Sequence, residues 1–464
     1  MSWNDIFSAS ALEQASLIRK RSLSSEELVG AYLDRIETLQ PKINAFVSTF
    51  KRSSLLKDAR KKDAAVKRGD DLPAFHGVPT GIKDLHLVRW TRAGMGSRGS
   101  MPLISPIDDE LTTSVRRGGF VIVGKTTTSE IGAMPVTEPD THAPTRNPWN
   151  TAHSSGGSSG GAAAAVAARM LPIAPGSDGG GSIRGPSSFC HLFGLKPSRG
   201  RVPNAYRRDD QEILYTSGPI ARSVEDAAAL LDVLAGFDIG RPHWAPAPER
   251  SYRQSLNVAP PKRLKIRVGT NAPLGTTDPE IIAAVERAAK VLADLGHDVD
   301  TAMLPTCTLE EFLPIWQALV ADVPMMRWSL AQPITQWLVE GAKGLRPGLA
   351  RERRRELEAR FLAVFDQADL WVTPTTPISA PLVGTYANRP PAEAFTDAAR
   401  IGGFTAAFNV TGQPASNVPL GLDSKGLPMG LQLAGRKFAD DVVLAVSRQL
   451  EVAMPWHTRT APIE

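Results

Sequence analysis

Apolar residues recur at helix-like intervals through the first part of the chain, between residues 5 and 70. Ser24 and Glu27 have the spacing of a capping box, which closes the N-terminus of a helix with two reciprocal hydrogen bonds. We therefore expect an N-terminal helical segment over residues 1–70. Its periodic apolar positions are Leu12, Ile18, Leu28, Ala31, Leu33 and Ile36.

The pattern changes at residue 76, and glycine, serine, proline and short β-branched runs are frequent from there to residue 220. The run from Phe120 to Val123 is continuously apolar and predicts a buried strand. Residues 264–300 alternate strand-like and helical patterns, and residues 370–455 return to strand, turn and helix signals. Strands that alternate with helices predict an α/β fold built around a mixed sheet.

The chain has 464 residues, 42% hydrophobic and 22% charged, which is typical of globular proteins and disfavours disorder. Its length allows two or three modules or one large α/β unit. No apolar run approaches the roughly 18 residues of a membrane span, and the first residues lack the pattern of an export signal. We expect no membrane association and a cytoplasmic location.

The formal net charge is +5, but the basic residues are scattered through segments such as 57–67 and 351–355. Such runs are typical of solvated helix faces, so nucleic-acid binding is not predicted. The cysteines are Cys190 and Cys307. Two cysteines cannot form a disulfide framework or a cysteine-rich zinc site, and they suit a reducing compartment.

Gly119 to Thr126 has the sequence G-F-V-I-V-G-K-T, a formal match to the phosphate-binding pattern G-x-x-x-x-G-K-[ST]. A phosphate cradle requires a flexible loop whose backbone N–H groups face the ligand. The four intervening residues here are the apolar strand itself, so we expect no nucleotide site.

Gly156 to Gly160 contains G-x-S-x-G, the nucleophile-elbow pattern of α/β-hydrolases. That elbow directly follows a buried strand, and its serine needs an acid and a histidine further along the chain. The preceding residues 147–151 carry no strand pattern, although four histidines follow, so this interpretation stays open as an alternative. The histidines are His191, His243, His297 and His457.

A longer constellation consists of the segments 81–84, 154–161 and 177–186. Apolar residues follow the first glycine- and serine-rich tract and precede the second, which disfavours a pair of flexible loops. Glycines in such places serve backbone conformations closed to other residues, or let a ligand approach the main chain. Three consecutive glycines before Ser182 are what an oxyanion hole of backbone N–H groups would need.

With these motifs the chain resembles the amidase signature enzymes from about residue 10 to residue 450. The family's G-G-S-S-G-G core is unbroken at 156–161, and its nucleophile motif lies at 178–184. The two motif serines are 182 − 158 = 24 residues apart, as the family pattern requires. Flanking segments also match, at 124–126, 145–149, 194–197, 200–202, 409–414 and 427–432.

The resemblance implies the amidase signature fold, a mixed, twisted β-sheet core covered by helices on both faces. It also implies a single domain over residues 1–464. Within it, the helical segment 1–70 is followed by a catalytic core at 76–220, a variable substrate-pocket region at 240–400, and closing strands and a helix at 400–455.

The resemblance also implies a role for each motif residue. Ser182 is expected to be the nucleophile, and Ser158, after a cis peptide bond with Gly157, to relay a proton between Ser182 and Lys83. To act as a base Lys83 must be neutral, so its pKa should fall from about 10.4 toward the working pH.

The expected oxyanion donors are the backbone N–H groups of Gly179, Gly180, Gly181 and Ser182. Asp178 and Arg184 are expected to brace this loop and not to touch substrate. No metal ion and no organic cofactor is expected.

Three segments, 137–139, 145–149 and 177–182, resemble one branch of the family, the 6-aminohexanoate cyclic-dimer hydrolases and related bacterial acylamidases and urethanases. The commoner family pattern has Thr in place of Ser177, and Thr or Ile in place of Gly179, which leaves the exact set of oxyanion donors open. The resemblance implies hydrolysis of amides, and also of carbamates and esters, with small hydrophobic or aryl groups or nylon-type oligomers.

Large apolar residues between 312 and 337 have two interpretations of equal weight. They could wall an apolar substrate pocket, because methionine is deformable and aromatic rings are flat, or they could form an ordinary helical core. They are Phe312, Trp316, Met325, Met326, Trp328 and Trp337.

Two other functions stay open. The first is the glutaminase subunit of a tRNA-dependent amidotransferase, which would require partner subunits. The second is a silent, ligand-binding relative, which the intact Lys83, Ser158 and Ser182 disfavour. Otherwise we expect a small-molecule amide, carbamate or ester substrate, and a chain that acts as a monomer or homodimer.

Overall fold

The computed structural model describes residues 2–101, 103–203, 214–236, 244–258 and 263–463. Within these ranges the α-helices are α1 (Trp3–Ser8), α2 (Ala11–Arg19), α3 (Ser25–Ile43), α4 (Arg52–Arg68), α5 (Glu110–Arg117), α6 (Gly160–Ala167), α7 (Arg184–Phe189), α8 (Val224–Leu234), α9 (Tyr252–Ser255), α10 (Pro279–Asp294), α11 (Leu309–Ala321), α12 (Pro333–Lys343), α13 (Leu349–Phe365), α14 (Pro391–Ala399), α15 (Ala406–Thr411) and α16 (Asp440–Ala453). The strands are β1 (Phe46–Thr49), β2 (Pro79–Lys83), β3 (Val121–Thr126), β4 (Arg146–Asn147), β5 (Asn150–Ser154), β6 (Ile173–Asp178), β7 (Phe193–Lys196), β8 (Thr216–Ala221), β9 (Lys265–Val268), β10 (Asp298–Thr301), β11 (Leu370–Pro374), β12 (Ala415–Leu422) and β13 (Pro428–Gly435).

The N-terminal segment is mainly helical, as predicted, and α3 begins with the expected capping box. Ser24 Oγ accepts a hydrogen bond from the Glu27 N–H, and a Glu27 carboxylate oxygen accepts one from the Ser24 N–H at 2.9 Å. The sequence analysis missed β1, which pairs antiparallel with β3. Its backbone hydrogen bonds to a buried strand are a tertiary effect that local periodicity does not contain.

Two sheets form the framework of the fold. One has the strand order β1-β3-β2, and the other has the order β10-β9-β11-β13-β12-β7-β8-β6. β2 runs parallel to β3, and β9 runs parallel to β10 and β11, whereas the remaining pairs in these two sheets are antiparallel. The outer strands β2 and β6 adjoin, and Thr80 Oγ1 on β2 donates to the Ile173 carbonyl on β6 at 2.9 Å.

Helices cover both faces of the eight-stranded sheet, as the alternation along β13 demonstrates. Leu431 and Leu433 belong to an apolar core that includes side chains of α10 and α16. The intervening Gln432 accepts a hydrogen bond from Arg184 of α7, and Ala434 packs with phenylalanines of α13 and α15. Successive side chains of a strand point to opposite faces, so each face has its own helical layer. The α/β fold with a mixed sheet between helices is confirmed.

The predicted buried strand at Phe120–Val123 is confirmed as β3, whose residues are all buried. It contains the G-K-T of the formal phosphate-binding pattern. Lys125 Nζ forms an ion pair with Asp84 at 2.9 Å and donates to the His86 carbonyl at 2.8 Å. This lysine therefore lies on a strand, and its ammonium group is bound to a carboxylate and a carbonyl of the protein.

Residues 147–151, which carry no strand pattern, belong to a hairpin, so the prediction that they form no strand was wrong. β4 and β5 pair antiparallel, with Asn147 opposite Asn150. Asn150, Thr151 and Ala152 are exposed. A short strand without a buried face has no alternation of apolar and polar residues, which is why the sequence gave no signal for it.

The strands of the segment 400–455 lie in the middle of the large sheet, because β12 and β13 pair between β7 and β11. The predicted substrate-pocket region begins at 240, and residues 240–243 and 259–262 lie outside the described part of the chain. Among the described helices, none is both long and apolar enough to cross a membrane.

Candidate active site

Lys83 is the last residue of β2, and its side chain is completely buried at the junction of the two sheets. Its Nζ donates to Ser158 Oγ at 2.7 Å and to Ser159 Oγ at 2.9 Å, just before α6. On β6 it contacts Ser177, with the Oγ at 3.1 Å and the carbonyl at 3.4 Å. The ammonium group is thus surrounded by hydroxyl and carbonyl oxygens contributed by both sides of the junction.

The environment of Lys83 disfavours its charged form. Complete burial lowers the pKa of Lys83 to about 7, although the negative charge of Asp178 acts in the opposite direction. Near neutral pH a substantial fraction of these side chains is therefore an uncharged amine, which can accept a proton.

Ser158 follows a cis peptide bond with Gly157. A side chain at position 157 would have its Cβ only 2.6 Å from the Val136 N and 2.7 Å from the Met134 carbonyl oxygen. Only glycine fits this close approach of two main-chain segments. Ser182 adjoins the same loop, because the Ser159 N–H donates to the Ser182 carbonyl at 3.2 Å, and Ser182 is among the residues that line a cavity.

The loop between β6 and α7 carries the glycines that were predicted to stabilise an oxyanion. Within the described residues the N–H groups of Gly179, Gly180 and Ser182 have no protein acceptor. The Gly181 N–H instead donates to Asp178 Oδ1 at 2.7 Å. The loop therefore offers three unengaged donors, and the fourth is directed at a carboxylate.

Thr405 holds this loop from the opposite side. Its Oγ1 donates to the Gly180 carbonyl at 2.5 Å. Gly181 has a φ of +132°, and a Cβ there would lie 2.2 Å from Thr405 Oγ1, so both conformation and space require glycine. The sequence analysis did not identify Thr405, because nothing in its local sequence relates it to a loop more than two hundred residues earlier.

Asp178 and Arg184 form a completely buried ion pair beneath the same loop. Arg184 donates from Nε to Asp178 Oδ2 and from Nη2 to Asp178 Oδ1, both at 2.9 Å. Burial alone would raise the pKa of Asp178, but the charge and hydrogen bonds of Arg184 outweigh it and hold that pKa well below its usual range. Asp178 is therefore ionised, and it fixes the loop through the N–H groups of Gly181 and Ile183.

The remaining donors of Arg184 connect the loop to the C-terminal part of the chain. Its Nη1 donates to Gln432 Oε1 at 2.5 Å and to the Thr405 carbonyl at 2.9 Å. Its Nη2 donates to Asn409 Oδ1 at 2.5 Å, and Asn409 Nδ2 donates in turn to Asp178 Oδ1 at 3.0 Å. Asn409 and Gln432 belong to segments that matched the family pattern, which is the one signal that could have identified them.

The cavity above Ser182 is almost entirely apolar. Its lining includes Gly157, the loop from Gly180 to Ser182, Phe312 and Trp316 of α11, and parts of α13, α14 and α15. No aspartate, glutamate, lysine or arginine is among the described lining residues.

The two interpretations of the residues between 312 and 337 each hold for part of the set. Phe312 and Trp316 line the cavity. Met325, Trp328 and Trp337 pack against the neighbouring apolar core. Met326 is 53% exposed and lines no part of the cavity.

The described histidines do not complete a nucleophile elbow. Ser158 Oγ is bonded to Lys83, and His297 Nε2 lies 3.0 Å from Gln449 Oε1. His191 and His457 border a different pocket, and His243 lies outside the described residues.

Comparisons with known proteins identify the family of this chain. The family model described as Amidase matches residues 27–444. The 6-aminohexanoate-cyclic-dimer hydrolase of Pseudomonas sp. is 33% identical, covering 98% of this chain and 96% of the relative. The acylamidase of Rhodococcus erythropolis is 31% identical, covering 96% of each. A solved structure of 6-aminohexanoate cyclic dimer hydrolase superposes with a TM-score of 0.90 at 31% identity, covering 98% of this chain and 99% of the other.

Fold, site and comparisons together define an amidase-type hydrolase of carbon–nitrogen bonds. The chain belongs to the amidase signature family, in agreement with the resemblance of its motifs.

Replacing Arg184 by methionine leaves the Asp178 carboxylate buried without its counter-charge. We expect the Arg184→Met variant to lose about 3–5 kcal/mol of unfolding free energy, measured by denaturant titration. Arg60→Met is the matched control, because Arg60 pairs with Glu26 at 2.5 Å on the surface. That change should cost less than about 1 kcal/mol. Equal losses of unfolding free energy in the two variants would show that the buried pair stabilises the fold no more than the surface pair does.

Proposed function

We propose that this chain hydrolyses the amide bond of small, neutral, hydrophobic or aryl substrates and of nylon-type oligomers, and that carbamates and esters are further substrates. The observation that carries the proposal is the 2.7 Å hydrogen bond between the buried Lys83 Nζ and Ser158 Oγ. It lies beside Ser182, under an apolar cavity without charged lining residues in the described chain.

In the first step Ser182 Oγ attacks the carbonyl carbon of the substrate. Its proton passes to Ser158 Oγ, while the Ser158 proton passes to the uncharged amine of Lys83, so Ser158 is unchanged at the end of the transfer. The backbone N–H groups of Gly179, Gly180 and Ser182 stabilise the oxyanion that forms. Gly181 contributes by its bond to Asp178, which fixes the loop.

In the second step the tetrahedral intermediate collapses. The ammonium of Lys83 returns its proton through Ser158 to the departing nitrogen, and an ester of Ser182 remains. Water then attacks this ester and gives its proton through Ser158 to the amine of Lys83. The ammonium of Lys83 returns the proton through Ser158 to Ser182 Oγ as the ester bond breaks, which releases the acid and restores Ser182. Side chains supply each proton transfer in this scheme and loop amides stabilise the oxyanion, so we expect no metal ion and no organic cofactor.

The apolar lining of the cavity favours a substrate with an uncharged acyl group. A free amino acid such as glutamine carries an ammonium and a carboxylate, and these need charged or strongly polar partners when they are buried. The described lining offers no charged side chain, so the glutaminase function is the less favoured alternative. The relatives whose names specify 6-aminohexanoate cyclic dimer and acyl amides support the same substrate class. We propose that the chain acts alone, as a monomer or homodimer in the cytoplasm.

The purified chain should therefore hydrolyse 4-nitroacetanilide, an aryl carbamate and a 6-aminohexanoate oligomer, without partner proteins. We expect Ser182→Ala to lower kcat/KM for each by about 10³-fold or more, since the nucleophile is lost. Ser187→Ala is the control, because Ser187 is a buried serine of α7 whose Oγ has no described hydrogen-bond partner. Turnover of glutamine alone, or full activity in Ser182→Ala, would contradict the proposal.

The pH dependence follows from the sign of the Lys83 shift. Burial lowers its pKa to about 7, and the active form is the uncharged amine, so kcat/KM should rise through pH 7 and level off above it. Burial, followed by the charge of Arg184, also lowers the pKa of Lys196 to about 7. The Lys196→Met variant should keep the wild-type profile. Loss of the rise in that variant would assign the titration to Lys196.

The cavity wall should control binding of the acyl or aryl group. Phe312→Ala removes apolar contact area and should lower kcat/KM for a hydrophobic anilide by about tenfold to a hundredfold, mainly through KM. Met326→Ala should have no effect, because Met326 lines no part of the cavity. Equal effects of the two substitutions on kcat/KM would argue against binding of the acyl or aryl group in this cavity.

A further inference from the structure

A second pocket lies at the C-terminal end of α7, the helix that starts two residues after Ser182. Arg169, Arg222, Arg459 and His191 line it, and we call it the arginine pocket. These side chains come from four separate places: the end of α6, the end of β8, the segment after α16 and the turn after α7. Trp149 and Trp456 form apolar parts of its wall.

The arginine pocket has an excess of positive charge. No aspartate or glutamate is among its described lining residues. Burial, followed by the charges of Arg222 and Arg35, lowers the pKa of Arg169, so these cations repel one another. Like charges held together without a counter-ion destabilise a fold, and a bound anion would remove that cost.

The donors of the arginine pocket are only partly used. Arg222 donates from Nη1 to the Phe7 carbonyl at 2.8 Å and from Nη2 to the Ala9 carbonyl at 2.5 Å, but its buried Nε has no partner among the described residues. The guanidinium groups of Arg169 and Arg459 form no hydrogen bond or ion pair within the described chain.

His191 is the second, independent sign of a ligand. It is only 5% exposed, and its ring approaches the Trp456 main chain without completing a hydrogen bond to any described residue. Its ring lies edge-on to Trp149, with the centroids 5.2 Å apart. Buried polar atoms are nearly always hydrogen-bonded, so an imidazole that completes no hydrogen bond leaves a ring nitrogen for an ion or water.

The dimensions limit the size of the ligand. The space between the side chains measures about 20 Å³, close to the roughly 10–15 Å³ that one water molecule occupies on this scale. A nucleotide does not fit between the side chains. A tetrahedral oxyanion is larger than one water molecule and would lie at the solvent edge of the pocket, where Arg459 is exposed. Guanidinium groups bind oxyanions through paired N–H donors, and three cations suit a dianion better than a monovalent carboxylate.

We propose that the arginine pocket binds one small tetrahedral oxyanion of the phosphate class, held by Arg169, Arg459, Arg222 Nε and a ring N–H of His191. The bound ion joins the segment 456–461 to the turn that follows α7. Inorganic phosphate and the phosphate group of a small monoester share this chemistry, and both are tested below.

The test is thermal unfolding of the full chain at pH 7 in a zwitterionic buffer, with phosphate titrated at constant ionic strength. A ligand that binds only the folded state raises Tm with a saturable concentration dependence. We expect such a rise in the wild type, and at least tenfold weaker apparent affinity in Arg169→Gln and Arg459→Gln. Arg355→Gln, an exposed arginine of α13 outside the pocket, should match the wild type.

Further ligands separate the sources. Sulfate should compete with phosphate, and acetate should leave Tm unchanged. A larger affinity for glycerol 3-phosphate than for phosphate assigns the pocket to a monoester, and the reverse assigns it to the free ion. Each of these two results supports the proposal. An absent or non-saturable response, or an equal response in Arg459→Gln and Arg355→Gln, overturns it, and isothermal calorimetry with phosphate provides a second measurement.

Discussion

The candidate active site depends on one buried lysine, Lys83, which pairs with no carboxylate of the described residues. Within the part of the chain that the structure describes, Lys83 Nζ donates to hydroxyl and carbonyl oxygens, which stabilise an ammonium far less than an adjacent carboxylate would. A second buried lysine, Lys125, lies on the neighbouring strand β3 and is paired directly with Asp84. Of these two lysines on adjacent strands, Lys125 therefore has an adjacent carboxylate, whereas Lys83 lies among uncharged oxygens of the described residues.

A second constraint acts on the loop between β6 and α7. The Asp178–Arg184 pair is completely buried, so its charges must be satisfied by each other and by hydrogen bonds. Those bonds reach the loop amide of Gly181 on one side and Asn409 and Gln432 on the other. The loop is therefore held by the strand and helix that pack beneath it, while its outer surface faces the cavity.

The sequence alone indicated those parts of the candidate site whose residues lie in local motifs. Lys83, Ser158 and Ser182 were identifiable because each lies in a compact motif and the spacing of the two serines is fixed. Thr405 was not identifiable, since its contact with the Gly180 carbonyl depends on the packing of distant elements. The cavity wall was predicted only in part. Phe312 and Met326 have similar hydrophobicity, but the orientation of their segments decides which of them faces the cavity.

The position of β12 and β13 at the centre of the large sheet bears on how the enzyme is made. During synthesis Lys83 and both serines leave the ribosome long before residues 415–435, yet the sheet cannot become continuous until these strands insert between β7 and β11. Asn409 and Gln432, which secure Arg184, arrive in the same late stretch. A nascent chain that lacks this stretch therefore carries Lys83, Ser158 and Ser182 without the side chains that secure Arg184, and the proposed hydrolysis would have to await the finished sheet.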